Sequence, residues 1–166
     1  MCSCQAGKVK GVETEEWGPH YWKLLHKLSL KAGTLTDSNF QAEEMRLWVR
    51  IFRETGKAIP CEDCRNHYKD WLLANPIKPL QDLPYLEKGD WIRNWWWALH
   101  SDVNRRTQKS NIDFSELAET YASVFTRFEI ATIEKYNGKA CLASQVKLFD
   151  FKEWKRSIII LNSFYY

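Results

Sequence analysis

The two thiols in the run Pro60-Cys61-Glu62-Asp63-Cys64-Arg65-Asn66-His67-Tyr68 carry the clearest chemistry in this chain of 166 residues. Cysteines with two residues between them lie on one side of a helix start, where backbone N–H groups without intrahelical partners stabilise a thiolate. Such a pair serves thiol–disulfide exchange or metal binding. Arg65 adds a cation that favours a thiolate, whereas Glu62 and Asp63 oppose one. Cys2, Cys4 and Cys141 bring the cysteines to five, and an odd number in two close pairs does not read as a secreted disulfide framework. Cys2-Ser3-Cys4 sits on a polar N-terminal arm. It reads either as a mobile pair that relays electrons to the second dithiol or as merely exposed terminal thiols. Cys141 is expected to be an inert buried thiol.

The elements that must position these groups read as helices. Trp17, Tyr21, Leu24, Leu25 and Leu28 recur at helical spacing behind Glu15-Glu16, which predicts a helix from about 17 to 32. Asp37 or Ser38 can cap a second helix with the stripe Phe40, Glu44, Leu47, Trp48, Ile51 and Phe52, closing before Gly56. A third should begin near Pro60 and carry Cys61, Cys64, Tyr68, Trp71 and Leu72 on one face until Asn75-Pro76 breaks it. Residues 76–89 read as an irregular connector, and Asp90 as the cap of a fourth helix bearing Ile92, Trp95, Trp96, Leu99 and Val103. A fifth segment, Phe114, Leu117, Ala118, Tyr121, Phe125 and Phe128, has the same period, with Asn137-Gly138 as its terminator. No strand is predicted before Asn137. The short run Ile158-Ile159-Ile160-Leu161 reads as a buried strand, a helix end or a subunit contact, far below the roughly 20 apolar residues that cross a bilayer.

The histidines then acquire places. His26 lies one turn beyond Trp22, His100 one turn beyond Trp96 and one before Asn104, and His67 three residues after Cys64. Three helices thus aim polar rings at one interior region, where they need one another or a ligand rich in donors and acceptors. Composition excludes other classes. A net charge of +3 from 24 basic and 21 acidic residues, interspersed along the chain, offers no stripe for nucleic acid and no polybasic membrane signal. No signal peptide and no membrane-inserting segment is visible, so an intracellular, soluble setting is expected. The nine tryptophans serve packing or a planar ligand.

At these residues the chain resembles the Erv/ALR-type FAD-linked sulfhydryl oxidases. The matching elements are Trp17-Gly18-Pro19-His20-Tyr21-Trp22 with Leu25-His26, Pro60 to Tyr68 with Asn75-Pro76, and His100-Ser101-Asp102-Val103-Asn104-Arg105-Arg106 ending at Lys109. The resemblance runs from about Glu15 to Tyr121. It implies an all-α fold: a four-helix bundle gripping FAD, an additional short fifth helix, and a C-terminal extension whose structure is left open. The expected organisation is an N-terminal arm with the CxC pair over 1–14, an FAD-binding oxidase domain over 15–125, and an extension over 126–166 packed on the same domain.

Carried across residue by residue, the resemblance assigns Cys61 as the sulfur attacked by incoming thiols and Cys64 as the sulfur facing the flavin. It assigns Gly18, His20, Trp22, His26, His67, His100, Val103, Asn104, Lys109 and, more loosely, Tyr121 as cofactor contacts. It further implies electron delivery to dioxygen with formation of hydrogen peroxide, protein thiols as substrates, a shuttle role for Cys2 and Cys4, and a two-fold homodimer through the first two helices. Tyr21, Trp48 and Phe52 give those helices more apolar surface than one core stripe requires, which is consistent with such a dimer. Trp97 stands where many cellular members carry a structural cysteine, and Ser101 where asparagine is common. Shorter viral members also lack that bond. A viral factory or virion, or a mitochondrial intermembrane space, would be the corresponding compartment.

Three rival readings follow from the same residues. Cys2, Cys4, Cys61 and Cys64 could hold structural zinc, although their spacing suits a finger poorly. A thioredoxin-like reductase would need a strand before the motif, where the pattern is helical. In the third, the chain is a helical interaction protein and the dithiol is incidental.

Overall fold

The computed structural model describes residues 10–166, and among these it is wholly helical, with no strand. Cys2 and Cys4 lie outside the described residues. Helix α1 spans Thr14–Lys31 and opens with a capping box in which Glu13 and Glu16 satisfy each other's backbone N–H groups. Helix α2 spans Ser38–Ala58, and the Asp37 carboxylate accepts from the N–H groups of Asn39 and Phe40 at its start. Helix α3 covers Glu62–Ala74 with Cys61 as N-cap. A single turn, α4, Pro79–Asp82, interrupts the expected connector, and α5 covers Tyr85–Arg106. A 3-10 turn, Phe114–Glu116, leads into the short α6, Leu117–Tyr121. Two long helices complete the chain: α7, Thr126–Leu142, and α8, Leu148–Tyr165.

Several boundaries correct the expectations. Helix α2 runs through Gly56 rather than stopping before it, because the glycine is a packing point: a Cβ there would stand 2.9 Å from Tyr68 Cδ1. Helix α5 begins five residues before Asp90 and passes through Gly89, where a Cβ would meet the Ala32 carbonyl oxygen at 2.2 Å. Both glycines let helices cross closely. The segment expected as one fifth helix is split at residues 122–125, and Asn137-Gly138 lies inside α7. Asn137 is buried there, its amide donating to the Tyr21 hydroxyl at 2.7 Å, so a residue read as a terminator is a polar core contact. The actual end of α7 uses Ser144 in the left-handed conformation, φ 60°, with Gln145 N–H donating to Ala140 O at 2.8 Å. The Ile158–Leu161 run lies inside α8, with Ile158 and Leu161 buried and Ile159 exposed, and is not a strand.

The C-terminal pair of helices builds the other half of the core. Helix α8 lies along α2, and α7 lies along α1. Trp154 of α8 is buried, stacks on Tyr21 at 4.9 Å between ring centres, and donates its indole N–H to Thr55 Oγ1 at 2.9 Å. Tyr165 accepts from the Trp48 indole, and its hydroxyl joins that of Tyr85 on the buried Glu44 carboxylate, which also receives Gly33 N–H. Tyr21, Trp48 and Phe52 are therefore buried within the chain itself. The apolar surface that suggested a dimer through α1 and α2 is covered within the chain, Tyr21 and Trp48 by α8 and Phe52 by Trp95 and Trp96 of α5. Trp97 donates its indole N–H to Ile112 O at 2.9 Å and packs on Phe114, so it ties down the stretch after α5 where a disulfide is absent. Among the described residues no helix is long and apolar enough to cross a membrane.

Candidate functional site at the Cys61–Cys64 pair

Pro60 keeps Ile59 extended, φ −70° and ψ 124°, which ends α2, and Cys61 takes the extended backbone of an N-cap, φ −151° and ψ 119°. Its sulfur accepts the Cys64 N–H at 3.2 Å while the two sulfurs are bonded as a disulfide. The helix start thus directs an N–H at Cys61, which supports negative charge on that sulfur whenever it is released as a thiolate. Cys64 lines a cavity of about 690 Å³ bounded by α1, α3, α5 and α6, whereas Cys61 is not among the lining residues. One sulfur faces inward and the other does not. Arg65 is engaged elsewhere: its guanidinium donates to Ile59 O at 2.7 Å and to Gln145 O at 2.6 Å.

The cavity collects most of the residues singled out above. Gly18 and Trp22 come from α1, His67 from α3, and His100, Val103 and Asn104 from α5. Lys109 follows α5, and Tyr121 ends α6. Lys109 is brought back to the cavity by Gln108, whose φ of 57° turns the chain so that Lys109 N–H reaches Asn104 O at 2.8 Å. Trp22 lies parallel to the His100 ring at 4.0 Å. Behind them His26, itself not among the lining residues, is fully buried, stacks on Tyr121 at 4.6 Å, and has its Nε2 hydrogen-bonded to His100 Nδ1 at 2.8 Å. One ring must donate and the other accept, so at most one of them can carry a charge. Burial, helped by the neighbouring His100, holds His26 down at about 3, and burial with the Lys109 charge holds His100 down at about 4. His26 Nδ1 has no partner among the described residues.

His20 departs from the expectation. It is not among the lining residues; its Nδ1 meets Glu129 Oε2 at 2.7 Å and its ring stacks on Tyr136, both of α7. The reason is the helical period: Gly18, Trp22 and His26 are four apart and share a face, and His20, two residues from Gly18, falls on the opposite side. The structure also adds residues that the pattern did not single out as ligands. Tyr68, Trp96, Lys23 and Arg106 line the cavity, the first two already lying on inward stripes. Asp102 accepts from His67 Nε2 at 2.8 Å and pairs with Arg105 one turn on, fixing the imidazole beside Cys64. The i,i+3 spacing of Asp102 and Arg105 was its local signal.

The walls suit a flavin dinucleotide. A Cβ on Gly18 would find no protein atom nearer than Thr14 Cγ2 at 3.8 Å, so packing does not demand glycine and the open side is the cavity. Lys23, Arg106 and Lys109 supply cations for a diphosphate, and Trp22 and the neutral His100 supply flat faces for aromatic rings. A metal reading finds less. Cys61 and Cys64 are bonded to each other, and among the described residues no group of three or more His, Cys, Asp or Glu is placed to hold an ion. Cys141 is a free, partly exposed cysteine, and burial pushes its thiol up from the ordinary value.

Comparison with known proteins agrees with this geometry. A FAD-linked sulfhydryl oxidase from the Warthog/Namibia isolate of African swine fever virus is 29% identical over 118 residues, which cover 71% of this chain and 87% of the relative. The protein of the same name from the Pig/Kenya isolate is 28% identical over the same span. FAD-linked sulfhydryl oxidase ERV1 of Oryza sativa subsp. japonica is 27% identical over 106 residues, 61% of this chain and 47% of the relative. No solved structure matches the chain. The model of the Erv1/Alr family matches residues 19–122, the stretch that carries the disulfide and most of the cavity wall, and the chain belongs to that family.

Proposed function

We propose that the protein is an FAD-dependent thiol oxidase that forms disulfide bonds in protein substrates, with dioxygen as terminal acceptor and hydrogen peroxide as by-product. The observation that carries this reading is the polarity of the disulfide: Cys64 opens into the ring-lined, cation-rimmed cavity, and Cys61 does not. FAD, when bound, supplies the two-electron chemistry that links a reduced dithiol to oxygen. Gly18, Trp22, His26, His67, His100, Val103, Asn104, Lys109 and Tyr121 are the residues we assign to hold it. His20 braces α1 on α7.

The chain's own chemistry is thiol exchange. A substrate thiolate attacks Cys61 Sγ, the Cys61–Cys64 bond breaks, and Cys64 leaves as a thiolate next to the cavity. A second substrate thiolate then attacks the substrate sulfur of the mixed disulfide, and Cys61 leaves as a thiolate that the Cys64 N–H supports. The substrate ends as a disulfide and the enzyme as a dithiol, two electrons richer. The Asp102–His67 pair holds an imidazole by Cys64. For large substrates we assign Cys2 and Cys4 as the relay that meets them first. Association as a homodimer would require a face other than the one α8 covers. The viral relatives suggest a viral factory or virion as the setting.

The test is flavin extraction combined with oxygen uptake on a small dithiol. The parent protein should purify yellow and consume oxygen, and Cys64→Ser should stay yellow while losing turnover. A protein that retains no flavin, or a Cys64→Ser variant with undiminished uptake, overturns the proposal.

A further inference from the structure

The hairpin of α7 and α8 keeps one face that nothing among the described residues covers. Seven basic and four acidic residues lie in 126–166, so this segment carries the whole net charge of +3. Three of its carboxylates already have partners: Glu129 holds His20, Glu134 pairs with Lys155, and Glu153 with Arg50. Lys135, Lys139, Lys147, Lys152 and Arg156 are exposed and form no ion pair among the described residues. No run of the sequence is polybasic, but the fold gathers these cations. In α8 the buried residues Phe151, Trp154, Ile158 and Leu161 face the core, and Phe149, Lys152, Arg156 and Ile159 recur three and four apart on the side away from it. In α7 Glu129, Ile133, Asn137 and Ala140 are buried, and Phe128, Lys135, Lys139 and Leu142 share the outer side. The Lys155–Glu134 pair and the bond from Thr126 Oγ1 to Asn162 Oδ1 at 2.8 Å lay the two helices side by side and antiparallel. In that register Leu142 and Phe149 stand at the turn end, the four cations of the two stripes lie in the middle, and Phe128 and Ile159 stand at the far end.

We infer that this outer face of the α7–α8 hairpin adsorbs to an anionic lipid surface, its cations meeting lipid phosphates and its four apolar side chains entering the headgroup boundary. Those four are between 46% and 75% exposed, and a single exposed apolar side chain would need no explanation. Framing a block of unpaired cations, they make a surface on which apolar burial and attraction to anionic headgroups act together. A nucleic acid would engage the cations and leave Leu142 and Ile159 in water. A two-fold contact with a second copy of the chain would lay the basic centre on itself. A lipid surface satisfies both halves of the pattern. The contact is adsorption, since among the described residues no helix is long and apolar enough to cross a membrane. No residue of α7 or α8 lines the cavity, so this face can be altered without touching the flavin site or the dithiol.

The test is co-sedimentation of the full chain with vesicles of phosphatidylcholine alone and of phosphatidylcholine mixed with phosphatidylserine. The parent should partition onto the mixed vesicles, far less onto phosphatidylcholine, and less onto either as salt is raised. Lys152→Gln/Arg156→Gln should weaken partition about 25-fold, each cation near an anionic surface carrying about fivefold. Leu142→Ser/Phe149→Ser leaves the charge unchanged and should weaken it about tenfold through lost apolar burial. All four side chains are solvent-exposed, so both variants should keep the parent's circular dichroism and its turnover of a small dithiol. A parent protein that stays in solution beside the phosphatidylserine vesicles overturns the inference. So does a Leu142→Ser/Phe149→Ser variant that binds as the parent does, because cations acting alone describe a general polyanion site; a DNA duplex titrated in parallel identifies that outcome. A dimer seen by light scattering at micromolar concentration, and dissociated by the same two serine substitutions, assigns the face to a second copy and overturns the inference as well.

Discussion

Acidification should destabilise the protein specifically through the His26–His100 pair. Both rings are neutral in the fold, held at about 3 and about 4 by burial, whereas in the unfolded chain each titrates near 6.5. Below that value the unfolded state binds protons that the folded state refuses, so stability falls as pH falls, and the window runs from about 6.5 down to about 4. At about pH 5 each histidine lies about 1.5 units below its unfolded value, which at about 1.4 kcal/mol per unit costs about 2 kcal/mol. Neither ring has yet taken up a proton in the fold at that pH, so the two losses add to about 4 kcal/mol, a large part of the 5–15 kcal/mol typical of a domain. The assay is urea unfolding of the apoprotein at about pH 7.5 and about pH 5, comparing the parent with His26→Phe/His100→Phe. The parent should lose about 4 kcal/mol more than the double variant over that interval. Groups common to both proteins cancel in the comparison. Equal pH dependence in the two would refute the reasoning, because it would mean that the pair is not held neutral by the fold.

Two further outcomes follow from the packing. Gly18→Ala should raise the apoprotein's stability by up to about 1 kcal/mol, the helix propensity gained in a helix interior, while weakening flavin retention, since the nearest protein atom to the new methyl is 3.8 Å away and the cavity takes the rest. Denaturation and flavin titration read the two signs separately, and unchanged flavin affinity would remove Gly18 from the site. Trp154→Ala should cost about 3–5 kcal/mol in chemical denaturation, because the ring is 1% exposed, stacks on Tyr21 and is hydrogen-bonded to Thr55. A loss under about 1 kcal/mol would show that α8 is not part of the core.

Much of this protein is written locally in its sequence. The thiols at 61 and 64 sit at a helix start because proline and an N-cap residue decide that start within a few positions. Gly18, Trp22 and His26 share a face because the helical period says so, and the same count already set His20 on the other side. What local pattern could not decide was whatever depends on helices meeting. Gly56 and Gly89 look like stops in a one-dimensional reading and are crossings in three dimensions, where Tyr68 and Ala32 press against them. Asn137 reads as a terminator until Tyr21, 116 residues away in sequence, supplies its partner. The bond of Trp48 to Tyr165 of α8, the stacking of Phe52 on Trp96 of α5, the hydrogen bond between His26 and His100, and the grip of Gln145 on Val12 all join residues far apart along the chain. Periodicity reports which face of a helix is apolar, but only the folded chain determines what covers that face, and here the C-terminal helices cover it themselves.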